Sequence, residues 1–133
     1  MALLYHYARS HDALVLGTSN RSEILLGYGT KWGDFAADVE VIGSLWKHEV
    51  YALAKELGVP VAVIARPPTA ELVVGQTDAS ELGATYDVLD PILQKLEVNN
   101  FLLPDNADEL TEKILARVLA NQHKTVMPVV LGI

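Results

Sequence analysis

The spacing of apolar residues divides this chain into segments that favour helices more often than strands. Apolar positions that recur every three or four residues indicate amphipathic helices, whereas short continuous apolar runs bounded by glycine indicate buried strands. The predicted helices cover residues 1–11, 21–26, 45–57, 80–82, 86–96 and 108–121. Two strands are predicted, over residues 13–17 and 39–42.

The helix predicted over residues 45–57 has the clearest apolar face, and a glycine at position 58 suits the left-handed residue that ends many helices. That face consists of Leu45, Val50, Leu53, Ala54 and Leu57. The composition of residues 59–65 favours a strand but leaves a short helix open. Residues 69–78 and 99–106 predict loops, and residues 122–133 predict an irregular tail.

The predicted strand over residues 13–16 is apolar throughout, which indicates burial on both faces, as in a parallel sheet. Two strands are too few for a complete sheet of that kind. The pattern therefore predicts an α/β fold that is helix-rich and whose parallel sheet is incomplete.

Composition limits the classes of partner. The chain has 133 residues, a net charge of −7 and no cysteine, and half of it is hydrophobic. The length suits one domain, the acidic balance argues against a nucleic-acid partner, and disulfides are excluded. No apolar run is long enough to span a membrane, and the start does not resemble a signal peptide. We expect a single domain over residues 1–133, a cytoplasmic location and no membrane partner.

The stretch from Gly17 to Asp34 contains the candidate chemistry. Thr18, Ser19 and Asn20 follow the first strand as candidate N-caps, and Glu23 lies in the first turn of the next helix. Free N–H groups and the helix dipole would favour a phosphate there, and a divalent metal could bridge it to the carboxylate. An ordinary strand-to-helix connection with a surface glutamate accounts for these residues equally well.

The order of residues in this stretch is more specific evidence than the physical properties of its side chains. Residues 17–23, Gly-Thr-Ser-Asn-Arg-Ser-Glu, resemble the G-T-[GS]-N-[KR]-S-E signature of ammonia-dependent NAD synthetases. The resemblance continues through residues 26–28, 30–34, 42–47, 66–72, 75–78 and 81–83, Tyr86 and the His123-Lys124 pair. It covers nearly the whole chain, but only the second half of the family, because the family's S-G-G-x-D-S phosphate loop is absent here.

The resemblance implies part of a doubly wound parallel sheet of the adenine-nucleotide alpha hydrolase type, with a short helix in residues 59–65. It implies a ligase that amidates deamido-NAD to NAD with ATP and ammonia, through an acyl-adenylate, releasing pyrophosphate and AMP. It also implies Mg²⁺ and a homodimer. Two alternatives stay open: a truncated, non-catalytic nucleotide-binding or dimerisation module, and the same half of a glutamine-dependent enzyme. Without the phosphate loop, we expect this chain alone not to make NAD.

The resemblance also assigns individual residues, each of which has a plainer interpretation. Thr18, Lys47 and Thr69 match ATP contacts, although an N-cap, a polar-face lysine and a turn residue would explain them. Glu23 matches a magnesium ligand, although the helix dipole alone favours a glutamate there. The residues that match deamido-NAD contacts would otherwise be solvated charges; they are Lys31, Asp38, His123 and Lys124. Thr125 stands where the family usually has arginine, so the closing segment carries less charge.

Overall fold

A computed structural model describes residues 1–128 of the chain. Seven α-helices, two short strands and one 3₁₀ turn follow one another in these residues. The helices are α1 (Ala2–Ser10), α2 (Arg21–Leu26), α3 (Lys47–Glu56), α4 (Val61–Ile64), α5 (Asp78–Leu82), α6 (Tyr86–Val98) and α7 (Glu109–Asn121). The strands are β1 (Leu16–Gly17) and β2 (Val39–Glu40), and the 3₁₀ turn is Gln122–Lys124.

The core forms where α2, α6 and α7 pack against one another. Leu89, Leu93 and Leu96 of α6 are fully buried, because the helical repeat returns them to one face of the helix. Leu26 and Val118 meet this face from α2 and α7. Truncating any of these leucines to alanine would cost about 2–5 kcal/mol, so this cluster holds α2 in place.

The sheet within residues 1–128 consists of β1 and β2, which pair in parallel with Leu16 opposite Val39 and Gly17 opposite Glu40. The Glu40 carboxylate lies close against Gly17, so a Cβ at this position would force the Glu40 side chain to move. The side chain of Asp38 continues the pairing, since its Oδ2 accepts the Val15 N–H at 2.8 Å.

The expectation that both faces of the first strand are buried is wrong. Val15 is 6% exposed, but Leu14 and Leu16 on the other face are 66% and 61% exposed. No third strand or helix in residues 1–128 covers that face. The predicted apolar face of α3 is likewise only partly covered, with Leu53 39% and Leu57 72% exposed.

The other helix predictions are confirmed, with boundaries that move by a few residues. The short helix implied for residues 59–65 is α4, and Gly58 has the left-handed φ of +70° that ends α3. Asp108 caps α7 by accepting the Thr111 N–H at 2.8 Å. The predicted irregular tail begins with the 3₁₀ turn, and residues 129–133 lie outside the described part. No helix among the described residues is long and apolar enough to cross a membrane.

Candidate functional site

The N-terminus of α2 lies directly after β1 and is closed by a reciprocal pair of side chains. Asn20 Oδ1 accepts the Glu23 N–H at 3.0 Å, and Glu23 Oε2 accepts the Asn20 N–H at 3.0 Å. This capping box satisfies two donors that a helix end otherwise leaves free. Asn20 is only 2% exposed, which fixes the start of the helix and the direction of the Glu23 side chain.

The N–H groups of Asn20 and Glu23, which were expected to be open to a phosphate, are therefore bonded within the chain. The neighbouring donors are also engaged within the chain: Glu40 Oε2 accepts the Ser19 N–H at 2.9 Å, and the Arg21 N–H donates to Leu45 O at 2.7 Å. Glu40 comes from β2. A phosphate would have to compete with these bonds for the N–H groups concerned, and the phosphate site at this helix end stays a prediction.

Glu23 also forms an ion pair that links α2 to the first residue of α3. Its Oε1 lies 2.8 Å from Lys47 Nζ, and the two side chains are 18% and 17% exposed. The Lys47 ammonium lies 5.0 Å from the centre of the Tyr86 ring, which adds a cation–π contact from α6. Three helices thus fix one positive charge at one point.

This ion pair lies on the wall of an open cleft of about 550 Å³. Thr18, Glu23, Lys47 and Thr69 all line this first cleft, so the residues predicted for ATP and metal come together. A volume of this size is in the range of small-molecule sites.

The segment after α4 closes one side of the first cleft with its own hydrogen bonds. Thr69 Oγ1 donates to Gln76 O at 2.7 Å and accepts the Glu71 N–H at 3.1 Å. Arg66, which also lines the cleft, pairs with the Glu71 carboxylate. The loop predicted over residues 69–78 is therefore folded back on itself, with Thr69 at its centre.

Asp78 lines the first cleft and bonds Tyr86; both belong to the motifs of the family resemblance, which assigned neither of them a role. Asp78 is 4% exposed and lines the cleft, and its Oδ2 accepts the Tyr86 hydroxyl at 3.0 Å. Its Oδ1 is buried without a hydrogen-bond partner among residues 1–128. Burial, and then the Asp78 charge, raise the pKa of the Tyr86 hydroxyl well above its ordinary value, so this hydroxyl stays protonated and donates.

Three of the four residues predicted for deamido-NAD lie together. Lys31 Nζ donates to the main-chain carbonyl of His123, and Lys124 Nζ donates to Gly27 O at 2.8 Å. Lys124 lines a second cleft of about 460 Å³ that adjoins the first. Asp38 is not among the residues lining either cleft, and its carboxylate bonds the Val15 N–H beside β1.

Tyr28 separates the two clefts and lines both of them. Its hydroxyl donates to Glu81 Oε2 at 2.6 Å, and the Arg117 guanidinium lies 5.7 Å from its ring centre. Burial raises the pKa of Tyr28, and the bond to Glu81 raises it further. Sequence reasoning did not identify the role of Tyr28 between the clefts, because its partners Glu81 and Arg117 come from α5 and α7, which are distant in sequence.

The acidic residues of the clefts do not form a ready metal cage. Among residues 1–128 there is no group of three histidine, aspartate or glutamate side chains placed to hold one ion. Glu23 offers a single carboxylate, which suits Mg²⁺ held mainly by phosphate oxygens and water. The donor set thus fits a metal that arrives with a phosphate ligand.

This chain is similar in sequence to several known proteins. A protein family described as NAD synthase matches residues 1–128. The NH(3)-dependent NAD(+) synthetase of Helicobacter pylori strain P12 is 42% identical over 98% of this chain and 54% of its own length. The protein of the same name from Methanococcoides burtonii is 43% identical over 96% of this chain and 51% of its own length. The chain thus spans about half the length of the curated relatives it matches.

Two solved structures have a similar fold. The NMN synthetase of Francisella tularensis superposes with a TM-score of 0.85 at 32% identity, over 99% of this chain and 52% of that one. The NH3-dependent NAD synthetase of Campylobacter jejuni, solved with nitrate, superposes with a TM-score of 0.75 at 38% identity, over 99% and 51%. Because the family match covers nearly all of its length, this chain belongs to the NAD synthase family.

Proposed function

We propose that this chain supplies the ATP and metal contacts of an enzyme that amidates deamido-NAD to NAD. The observation that supports the proposal is the meeting of Thr18, Glu23, Lys47 and Thr69 on one cleft. Lys47 and Thr69 lie far along the chain from Thr18 and Glu23, and their meeting on one cleft supports the assignment made by resemblance. The reaction joins the nicotinate carboxylate to the α-phosphate of ATP, expels pyrophosphate, and lets ammonia displace AMP.

Lys47 is the main phosphate contact in this proposal. An ammonium on the wall of the cleft, held between a carboxylate and an aromatic ring, is a compact charge suited to a phosphate oxygen. Thr18 and Thr69 line the same cleft as Lys47 and carry hydroxyl groups. A positioned charge of this kind also stabilises the negative charge that develops on the departing pyrophosphate.

Glu23 would hold Mg²⁺ together with the phosphates of ATP. The metal supplies charge neutralisation at the phosphates when it is bound. Glu23 itself has a different task in the chain as described: its carboxylate orients the Lys47 ammonium and caps α2. Glu23 lines the first cleft, so its carboxylate would be available to a metal that arrives with ATP if one of these two bonds gave way.

Deamido-NAD would lie across the second cleft, near Lys31, His123 and Lys124. Its reacting carboxylate must then reach the first cleft past Tyr28, which separates the two. Asp38 stays a prediction for the same substrate, because its described contacts serve the sheet. The doubly wound sheet, the homodimer and the cytoplasmic location also stay proposals drawn from the family.

Binding of ATP to the 133-residue chain tests the proposal directly. Titration calorimetry with and without Mg²⁺ should show binding that depends on the metal. Replacing Lys47 by Ala removes a charge-assisted contact worth about 1.5–3 kcal/mol, so affinity should fall roughly 10- to 100-fold. NAD formation from deamido-NAD, ATP and ammonia is then measured with the same chain, and with the Helicobacter pylori relative as the positive control.

A matched control comes from the ion pair between Lys113 and Glu109, which is exposed on α7. Lys113→Ala removes the same charge away from both clefts and should leave ATP affinity within twofold. Equal losses in the Lys47→Ala and Lys113→Ala variants would mean that net charge alone governs binding. No metal-dependent ATP binding by the unaltered chain would overturn the proposal.

A second candidate substrate follows from the Francisella structure, whose superposition has the higher TM-score of the two reported. That protein is named an NMN synthetase, and the same chemistry would then act on the corresponding mononucleotide. Parallel assays with the mononucleotide and with deamido-NAD separate the two candidates by their kcat/KM values. Preference for the mononucleotide would replace deamido-NAD while leaving the ATP cleft unchanged.

A further inference from the structure

A buried carboxylate joins α6 to the N-termini of α2 and α3. Asp90 is 1% exposed, and its Oδ1 accepts the hydroxyl of Ser22 at 2.5 Å. Its Oδ2 accepts the His48 N–H at 3.0 Å and lies 2.8 Å from His48 Nδ1. Both oxygens are therefore occupied, and none of these contacts is part of the ATP assignments above.

Ser22 connects this carboxylate to the first residue of α3. The Lys47 N–H donates to Ser22 Oγ at 3.0 Å, and Ser22 is fully buried. The N-cap residue of α3, Trp46, has no side-chain oxygen that could accept the first N–H groups of the helix. Ser22 of α2 and Asp90 of α6 accept these N–H groups instead. The negative charge of Asp90 is favourable at a helix N-terminus.

Lys47 is consequently attached to α2 at two points. Its main-chain N–H bonds Ser22, and its ammonium bonds Glu23, the next residue of α2. Two attachments to adjacent residues of one rigid helix leave the lysine side chain little freedom to point elsewhere. Asp90 is placed by the leucines of α6 in the core, so it fixes the first of these attachments.

We infer that Asp90, acting through Ser22, is a positioning residue that holds the Lys47 ammonium at the ATP cleft without contacting the ligand. The inference rests on the proposed function, since it assigns Lys47 to ATP. A buried carboxylate is weak evidence for stability, because well-packed neutral groups often stabilise a fold as well. Its three donors and its place between two helix N-termini fit a role in orientation.

A double-mutant cycle distinguishes positioning from general stability. Asp90→Asn should weaken ATP binding about tenfold in the unaltered chain, and less than twofold when Lys47 is already Ala. A residue that acts through Lys47 has nothing more to lose once that side chain is gone. The same tenfold loss in both backgrounds would overturn the inference. Ser22→Ala serves as a second, smaller perturbation and should give the same pattern if Asp90→Asn does not fold.

Val118→Ala is the control for lost stability, since Val118 is buried in the same core but belongs to α7. It should lower the urea midpoint and leave ATP affinity within twofold. A loss of affinity as large as that of Asp90→Asn would also refute positioning.

Failure of the proposed function is recognised separately, as absence of ATP binding by the unaltered chain. The inference is then tested through the ion pair itself. Lys47→Ala should raise the unfolding equilibrium constant about tenfold in the unaltered chain and less than threefold beside Asp90→Asn. Equal effects in the two backgrounds would show that Asp90 does not position Lys47.

Discussion

Replacing Glu23 by Gln perturbs both contacts that this carboxylate makes. Gln has one carbonyl oxygen, so it can accept from Asn20 N–H or from Lys47 Nζ, but its amide nitrogen faces the other donor. A hydrogen bond to a charged group contributes about 1.5–3 kcal/mol, and loss of a cap costs about 1 kcal/mol. Because the paired side chains are 18% and 17% exposed, solvent screens the pair only partly. We expect a loss of about 2 kcal/mol in the free energy of unfolding, with the fold retained.

Urea unfolding followed by circular dichroism measures this loss. With a slope of about 2 kcal/mol per molar, the midpoint should fall by roughly 1 M. Glu109→Gln is the matched control, because Glu109 pairs with Lys113 at 2.6 Å on α7 but its side chain is 81% exposed. An exposed pair contributes little, so this midpoint should hardly move. If the two variants shift the midpoint equally, burial does not strengthen the Glu23–Lys47 pair and the reasoning fails.

The same variant separates stability from function. Glu23→Gln keeps the size of the side chain and removes its charge, so magnesium-dependent ATP turnover by the complete enzyme should fall sharply. An unchanged magnesium dependence would remove Glu23 from the metal site and leave its capping role standing.

Three further outcomes follow from contacts outside this pair. Tyr86→Phe removes the hydroxyl that donates to the buried Asp78 and should cost about 2 kcal/mol in urea unfolding. Gly27→Ala should cost at least about 2 kcal/mol, because φ is +59° there and a Cβ would overlap a side chain of α7. The bond from Thr111 lowers the pKa of Asp108 from 3.8, so its cap is stabilising above that pH and lost below it. The midpoint difference between wild type and Asp108→Ala should therefore shrink as pH falls below 3.8.

Local chemistry made most of the helices predictable. Gly58 and Asp108 act through neighbours a few residues away, so the sequence contains both partners of each cap. The core face of α6 follows from its apolar repeat. The burial of the first strand was overestimated, because an apolar run indicates only which residues a strand could bury. Leu14 and Leu16 have no covering layer among the described residues.

The site depended on contacts that no local pattern contains. Ser22 and Asp90 are 68 positions apart, and Tyr28 and Glu81 are 53 apart. Glu40 was an ordinary strand residue in the sequence, yet its carboxylate accepts the Ser19 N–H just before α2. The resemblance identified Glu23 and Lys47 separately but could not indicate that they bond each other.

The partners of the three lysines determine how readily each can serve a ligand. Lys31 and Lys124 donate to main-chain carbonyls, which are neutral acceptors. Lys47 donates to the Glu23 carboxylate, and a charged partner is roughly twice as strong as a neutral one. A ligand that captures Lys47 must therefore offer more negative charge than a single carboxylate, which a triphosphate does. A ligand with less charge can engage Lys31 and Lys124 more easily than Lys47, so under the proposed function the partner of each lysine would help to direct ATP and deamido-NAD to different clefts.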